Sequence, residues 1–332
     1  MEYTMRIRIK FRKNGVLRFV GHLDIMRYFQ KAMRRANIDI KYSEGFSPHQ
    51  IMSFAAPLGV GITSDGEYFD IEVHSTASTE ASIAALNAVM AEGIEICGYA
   101  QLPQDAKKAM TAVAAADYIV YYKEHETFTQ KQIAQMIREY YTDRDAILIT
   151  KKTKKSERVM DVKPLIYRFL PFADPVPGQG GQETTFTAEG TDWAAAIPGQ
   201  SGEGPAAEPS IFAAEVQDST AALFVPNGKS PFTEAAICTE TSPSPLYGPL
   251  YPPEPVGSFA EAHGRRGFFL QLCTGSTDNI KPDLILQDMA AYFGKTYDPF
   301  EMQIHRLEVY EKAGKGLRPL IAAGSPILST FL

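Results

Sequence analysis

Arg18, His22, Asp24 and Arg27 crowd one short stretch, and a polar loop follows as Tyr42, Ser43, Glu44, Gly45, Phe46, Ser47, Pro48 and His49. Two histidines with a nearby carboxylate are the residue types of a general acid and base, or two-thirds of a metal site. His22, Asp24 and His49 are therefore the catalytic candidates, and no complete metal-ligand set accompanies them. His22 and Asp24 stand two apart and would not share a helix face, though the turn of the chain at a helix start could aim both at one pocket. The plainer reading of the same residues is one histidine starting a helix and another closing a turn.

A second chemistry rests on cations and rings. Arg18, Arg27, Arg34 and Arg35, with Tyr42, Ser43 and Phe46, combine guanidinium groups with aromatics, the types that hold phosphates and stack on exposed bases. Lys151, Lys152, Lys154 and Lys155, in the run KKTKKSER, add another cationic cluster. Each has a structural alternative: Arg34 and Arg35 could pair with Glu44 or lie in water, and Phe46 could be core. There is no Walker sequence, no dinucleotide-binding glycine pattern after a strand, no nucleophile elbow and no zinc spacing. Cys97, Cys238 and Cys273 are too far apart for a disulfide framework or a metal site and read as reduced thiols.

These positions need elements to hold them. Met5 to Phe11 alternates Ile7, Ile9 and Phe11 with Arg6, Arg8 and Lys10, the period of a half-buried strand. His22 to Ala36 places Leu23, Met26, Phe29, Gln30 and Met33 at spacings of three and four, an amphipathic helix whose other face carries Arg27, Lys31, Arg34 and Arg35. Short strands are expected at 38–42, 51–57, 67–73 and 94–98, with a helix at 79–91 behind an N-cap at Ser78 or Thr79. A second cycle reads strand at 118–122, helix at 129–141, strand at 146–151, a basic hairpin at 151–158, strand at 267–273, helix at 282–293 and strand at 302–310. The fold class expected is α+β, two tandem ferredoxin-like domains with helices on one face of an antiparallel sheet.

Composition divides the chain. Residues 1–60 hold 11 Lys and Arg against 4 Asp and Glu, whereas 171–262 hold one Lys and 12 acids. That segment's −11 within a net charge of −6 leaves the remainder at +5, a basic body carrying an acidic insertion. Pro, Gly and Ser crowd the insertion, as in GQSGEGPAAEPS, so disorder is expected there. The expected division is a first domain at 1–102, a second at 103–170 and 265–312, the insertion at 171–264 and a tail at 313–332. No stretch approaches the length of about 18 apolar residues that a membrane span needs, and a cytoplasmic location is expected.

The run RFVGHLDIMRYFQKAMRRANIDIKYSEGFSPHQIMSFAAPLGVG, followed by EYFDIEV, resembles the signature of the radical-SAM-linked protein family, a domain of unknown function. Matching positions include Arg18, His22, Asp24, Arg27, Tyr42, Phe46, His49, Glu67, Tyr68 and Asp70. Gly21 and Gln50 depart from it, where Ser and Pro or Lys are commoner. The resemblance implies a partner: such proteins are encoded beside, or fused behind, a radical SAM protein, often near genes for an E/G-type ribonuclease and ribosomal proteins. This chain lacks the CxxxCxxC that holds a radical SAM cluster, so it would carry no cofactor of its own.

The leading expectation is an accessory or substrate-presenting subunit for a radical SAM enzyme, binding RNA or a ribosomal component. The alternatives are an endoribonuclease using His22 or His49, resembling CRISPR repeat-processing enzymes, and a purely structural assembly module.

Overall fold

The alternation in β1 (Met5–Lys13) buries Ile7, Ile9 and Phe11 as expected. Its opposite face is not solvent: Arg8 has no exposed surface at all. The computed structural model describes residues 4–123, 128–152, 157–172, 265–275, 278–314 and 316–328. Lys154, Lys155 and the acidic insertion beyond Phe172 lie outside the described residues.

After a 3-10 turn at Gly15–Phe19, α1 (His22–Arg35) buries Ile25, Phe29, Ala32 and Met33. Leu23, expected on that face, is 61% exposed. Ile25, Phe29 and Ala32 define the stripe at spacings of four and three, and Leu23 falls two positions before it, around the helix. Asp24 in the first turn and Arg34 and Arg35 in the last turn complement the helix dipole.

The strand expected at 38–42 reduces to isolated bridges, Ile40 to Val73 and Tyr42 to Gln50. Then come β2 (Met52–Phe54), β3 (Thr63–Val73), α2 (Thr79–Asn87) and β4 (Ile94–Gln101). Ser78 caps α2 by accepting from the Ala81 amide.

In the second cycle α3 (Ala109–Ala112) leads into β5 (Val113–Tyr122), and α4 (Gln130–Ile137) starts at a capping box made by Thr129 and Gln132. The hairpin expected around the lysine run pairs β6 (Leu148–Lys152) with β7 (Glu157–Asp161). β8 (Ile166–Pro171), β9 (Gly267–Cys273), α5 (Pro282–Tyr292), β10 (Met302–Ala313) and β11 (Gly316–Pro319) complete the described elements.

Nine of the described strands form one mixed sheet in the order β4-β1-β3-β10-β5-β9-β8, with β2 beside β3 and β11 beside β10, and β6 and β7 make a separate two-stranded sheet. Neighbours are antiparallel except where β10 meets β3, and that parallel contact is only two residue pairs long, His305 with Thr63 and Arg306 with Ser64. One apolar core packs Phe11, Phe29, Phe54 and Phe69 under α1. A larger one gathers Tyr140, Phe169, Phe268 and Leu286 under α4 and α5.

Between them the seam is polar. Lys10 pairs with Glu308 at 2.6 Å, Glu308 accepts from the Tyr68 hydroxyl at 2.7 Å, and Arg306 binds Glu67. The C-terminal stretch closes over this seam: Arg8 donates to the Leu320 carbonyl at 3.0 Å, Ser325 bridges to Gln101, and Ile327 exchanges hydrogen bonds with Thr79. The residues expected to be a tail are thus part of the fold as far as Leu328.

β3 and β10 approach so closely at Gly66 that an added Cβ would lie 2.7 Å from both the Glu308 Cα and the Leu307 carbonyl oxygen. Both obstacles are backbone and cannot rotate away. Gly66→Ala is expected to lower stability by about 1–3 kcal/mol, the usual range for overpacking, read as the shift of the thermal midpoint against wild type.

Candidate nucleic-acid interface

The 3-10 turn before α1 sets the first group of residues. Its Arg18 carbonyl accepts from the Gly61 amide at 2.8 Å, fixing the turn against the loop between β2 and β3. The Arg18 guanidinium lies 5.0 Å from the centre of the Phe19 ring. One turn on, His22 packs edge-on against Phe54 at 5.1 Å, half-buried in a small cleft with Lys13, Ile25, Leu58 and Glu67. Burial lowers the His22 pKa, and Lys13 adds to this while Glu67 opposes it. Burial likewise lowers the pKa of Lys13, whose ammonium donates to the Val20 carbonyl at 2.9 Å. The cleft has room for about one water molecule.

Asp24 does not face this cleft's histidine through any contact. It is exposed and pairs with Arg27 at 3.4 Å across one helical turn.

His49 belongs to a separate construction. Its Nδ1 lies 2.8 Å from the Ser43 hydroxyl, its amide donates to the same hydroxyl at 3.1 Å, and its carbonyl accepts from the Ser43 amide at 2.8 Å. These bonds close the loop whose apex turns at Gly45, with φ of 106°. The Gln50 side chain then fastens the loop to the helix, donating to the Gln30 carbonyl at 3.1 Å and to the Tyr42 hydroxyl at 3.3 Å. Phe46 at the tip is fully exposed, and Tyr42 at the base is 43% exposed. No hydrogen bond or ion pair joins His22, Asp24 and His49 to one another.

The cations sort by use. Arg27, Lys31 and Arg34 stand exposed around the helix turn that holds the loop base; Arg27 and Arg34 are three and four residues from Gln30 and share its side. Arg35 is tied down, donating to the Val89 carbonyl at 3.2 Å and lying 5.7 Å from the Tyr28 ring. The backbones of Lys151 and Lys152 pair in the β6–β7 ladder opposite Arg158 and Glu157. Among the described residues no three His, Cys, Asp or Glu side chains are placed to hold a metal ion, and no helix is long and apolar enough to cross a membrane.

Residue type and spacing do not single out Lys13, Glu67, Gln50 or Arg306. By alternation Lys13 and Glu67 fall on the same strand faces as Phe11 and Phe69, and both line the cleft beside His22, while Arg306 is buried against Glu67 in the seam. What the arrangement offers chemically is a row of unburied cations beside a rigidly footed loop with an aromatic tip.

The sequence profile of a bacterial family described as "Uncharacterized protein conserved in bacteria (DUF2344)" matches residues 6–188. No curated protein is detectably similar to the chain.

Proposed function

Because this chain belongs to that uncharacterised bacterial family, DUF2344, we propose from its own geometry that it is an RNA-binding accessory subunit without catalysis of its own. The observation that carries this reading is Phe46, fully exposed on a loop that Ser43, His49 and Gln50 brace against α1, next to Arg27, Lys31 and Arg34. A ring held in water on a braced loop is free to stack on a base, and the exposed cations at the loop's foot supply phosphate contacts that give affinity. The partner supplying chemistry is a cytoplasmic radical SAM protein, as the sequence resemblance implies; the iron–sulfur cluster is the partner's, since the three cysteines here are scattered.

The endoribonuclease reading gains no acid–base pair from this geometry, because His22 and His49 serve different partners. The assembly-module reading asks for enclosed His22 and Asp24, and Asp24 is 66% exposed at its side chain. We further read the two halves as ferredoxin-like units in tandem, the first at 1–102 and the second at 103–170 with 265–312. Strand orders β4-β1-β3-β2 and β10-β5-β9-β8 support this, each with helices after its first and third strands.

Arg34→Glu combined with Lys31→Glu in the full chain is expected to weaken binding to an unstructured RNA about tenfold or more at physiological salt. The salt dependence should flatten by about 0.7 in the log–log slope for each phosphate that the variant no longer neutralises. Fluorescence anisotropy reads both; unchanged affinity and slope would remove the helix face from the account.

A further inference from the structure

A second pair of exposed rings lies away from the loop, where the two halves of the sheet meet. Phe19 is 59% exposed and Phe300 is 76% exposed. The far-separated segments carrying them are brought together by one relay. The Gly61 amide binds the Arg18 carbonyl, and the Gly61 carbonyl accepts from the Gln303 side chain at 3.0 Å. Lys123, at the end of β5, donates its amide to the Glu301 carbonyl at 3.0 Å and holds its ammonium 6.0 Å from the Phe300 ring centre. Arg18 stands over Phe19 in the same manner.

The electrostatics are those of an anion's place. Burial first, and then repulsion from Arg18, lowers the Lys123 pKa, against an opposing attraction from Asp298. Arg265 joins them, donating to the Lys123 carbonyl at 2.5 Å. Of the acids in the adjoining turn, Asp298 is engaged in accepting from the Phe300 amide at 2.8 Å. Like charges held together beside two solvent-facing rings gain from an anion between them, and each ring, already under a cation, is suited to stack on a base.

We propose that Phe19 and Phe300 stack bases of single-stranded RNA while Arg18, Lys123 and Arg265 hold the phosphate between them. This rests on the RNA-binding function proposed for the chain and specifies its substrate as unpaired. Bases inside an A-form duplex are stacked on their neighbours and cannot reach a protein ring, whereas a single strand can splay them out. The new subsite and the Phe46 loop flank one helix: the loop is footed at Gln30 and Phe19 precedes His22. About 12 Å of α1 separates His22 from Gln30. One strand of several nucleotides can therefore occupy both.

The test uses the full chain, oligouridine of about 12 nucleotides, within the usual site sizes, and a blunt RNA duplex as control. Phe19→Ala and Phe300→Ala remove rings already mostly in water and are expected to leave the thermal midpoint unchanged. Each should weaken oligouridine binding about tenfold with the salt slope unaltered, whereas Lys123→Gln should lower the slope; duplex binding should not respond to either ring. If both ring variants bind oligouridine as wild type does while Arg34→Glu weakens it, the subsite is overturned and RNA binding along α1 stands. If the wild-type chain binds no RNA, both are overturned.

Discussion

Replacing Arg8 by methionine is expected to destabilise the fold by about 3–5 kcal/mol, the range for stranding one partner of a buried ion pair. Arg8 is wholly enclosed. Its Nε and Nη2 grip both oxygens of Asp70 at 2.8 and 3.0 Å, Nη1 donates to the Leu320 carbonyl at 3.0 Å, and Nη2 also reaches the Lys107 carbonyl at 3.2 Å. One planar fork thus ties β1 to β3, to the C-terminal turn and to the segment before α3. Methionine fills similar space but leaves the Asp70 carboxylate with the Ala109 amide at 2.8 Å and Arg6 at 4.0 Å. Arg8→Met with Asp70→Leu should recover at least half of the loss, since the stranded charge is then gone. Urea unfolding of the two variants checks this; a single variant within about 1 kcal/mol of wild type, inside the ordinary spread for surface changes, would show that the pair does not hold the seam.

Asp117→Asn is expected to do the opposite at neutral pH. Asp117 is buried in β5, accepting from the Tyr310 hydroxyl at 2.7 Å and the Gln271 amide at 2.8 Å. Burial pushes its carboxyl up from 3.8 to about 6, although both hydrogen bonds and Arg168 pull the other way. A folded-state pKa above the unfolded one means the native protein keeps a proton that the unfolded chain gives up. This group's contribution is therefore fully present below about pH 4, declines as the pH rises to about 6, and stays diminished above it. A rise of that size corresponds to about 3 kcal/mol at 1.36 kcal/mol per pH unit, reduced in the variant because Asn no longer attracts Arg168. Asn keeps the shape and one acceptor, and the Gln271 amide can turn to accept from it. A gain of about 1–3 kcal/mol at pH 7 is expected, with a flatter stability profile between pH 4 and 6. Asp65, whose pKa is lowered against its own burial by His305, acts below pH 4 and does not confuse the window. A variant less stable than wild type at pH 7, with the decline intact, would contradict this assignment.

How far these features could be read from sequence differs residue by residue. The recurrence of Phe29 and Met33 within the spacing from Leu23 marks α1 as a helix because a helix face repeats within the element itself, although the buried stripe runs through Ile25 and Ala32 rather than Leu23. The basic hairpin and the strand alternation in β1 are legible for the same reason. What covers the second face of β1 is not, because the cover comes from Leu320 and Glu308, far along the chain, and alternation records only which residues are apolar. For that reason Glu67, Tyr68 and Asp70, which sit in the most recognisable stretch of the sequence, emerge as partners of Arg306, Glu308 and Arg8 in the seam. His49 reads as a base or, more plainly, as a turn closer, and its bonds to Ser43 are those of the turn. Phe19, Lys123 and Phe300 carry no sequence signal as a group, since only the junction of β3 with β10 brings them together.

The central claim is that RNA lies along α1 between the Phe46 loop and the seam. Ultraviolet cross-linking in the native cell, followed by mass spectrometry of the RNA-modified peptides of the full chain, tests it most directly. The account predicts adducts on the peptides carrying Phe19 and Tyr42 to Phe46. Recovery of the chain free of RNA, or with adducts confined to the β6–β7 hairpin, would contradict it.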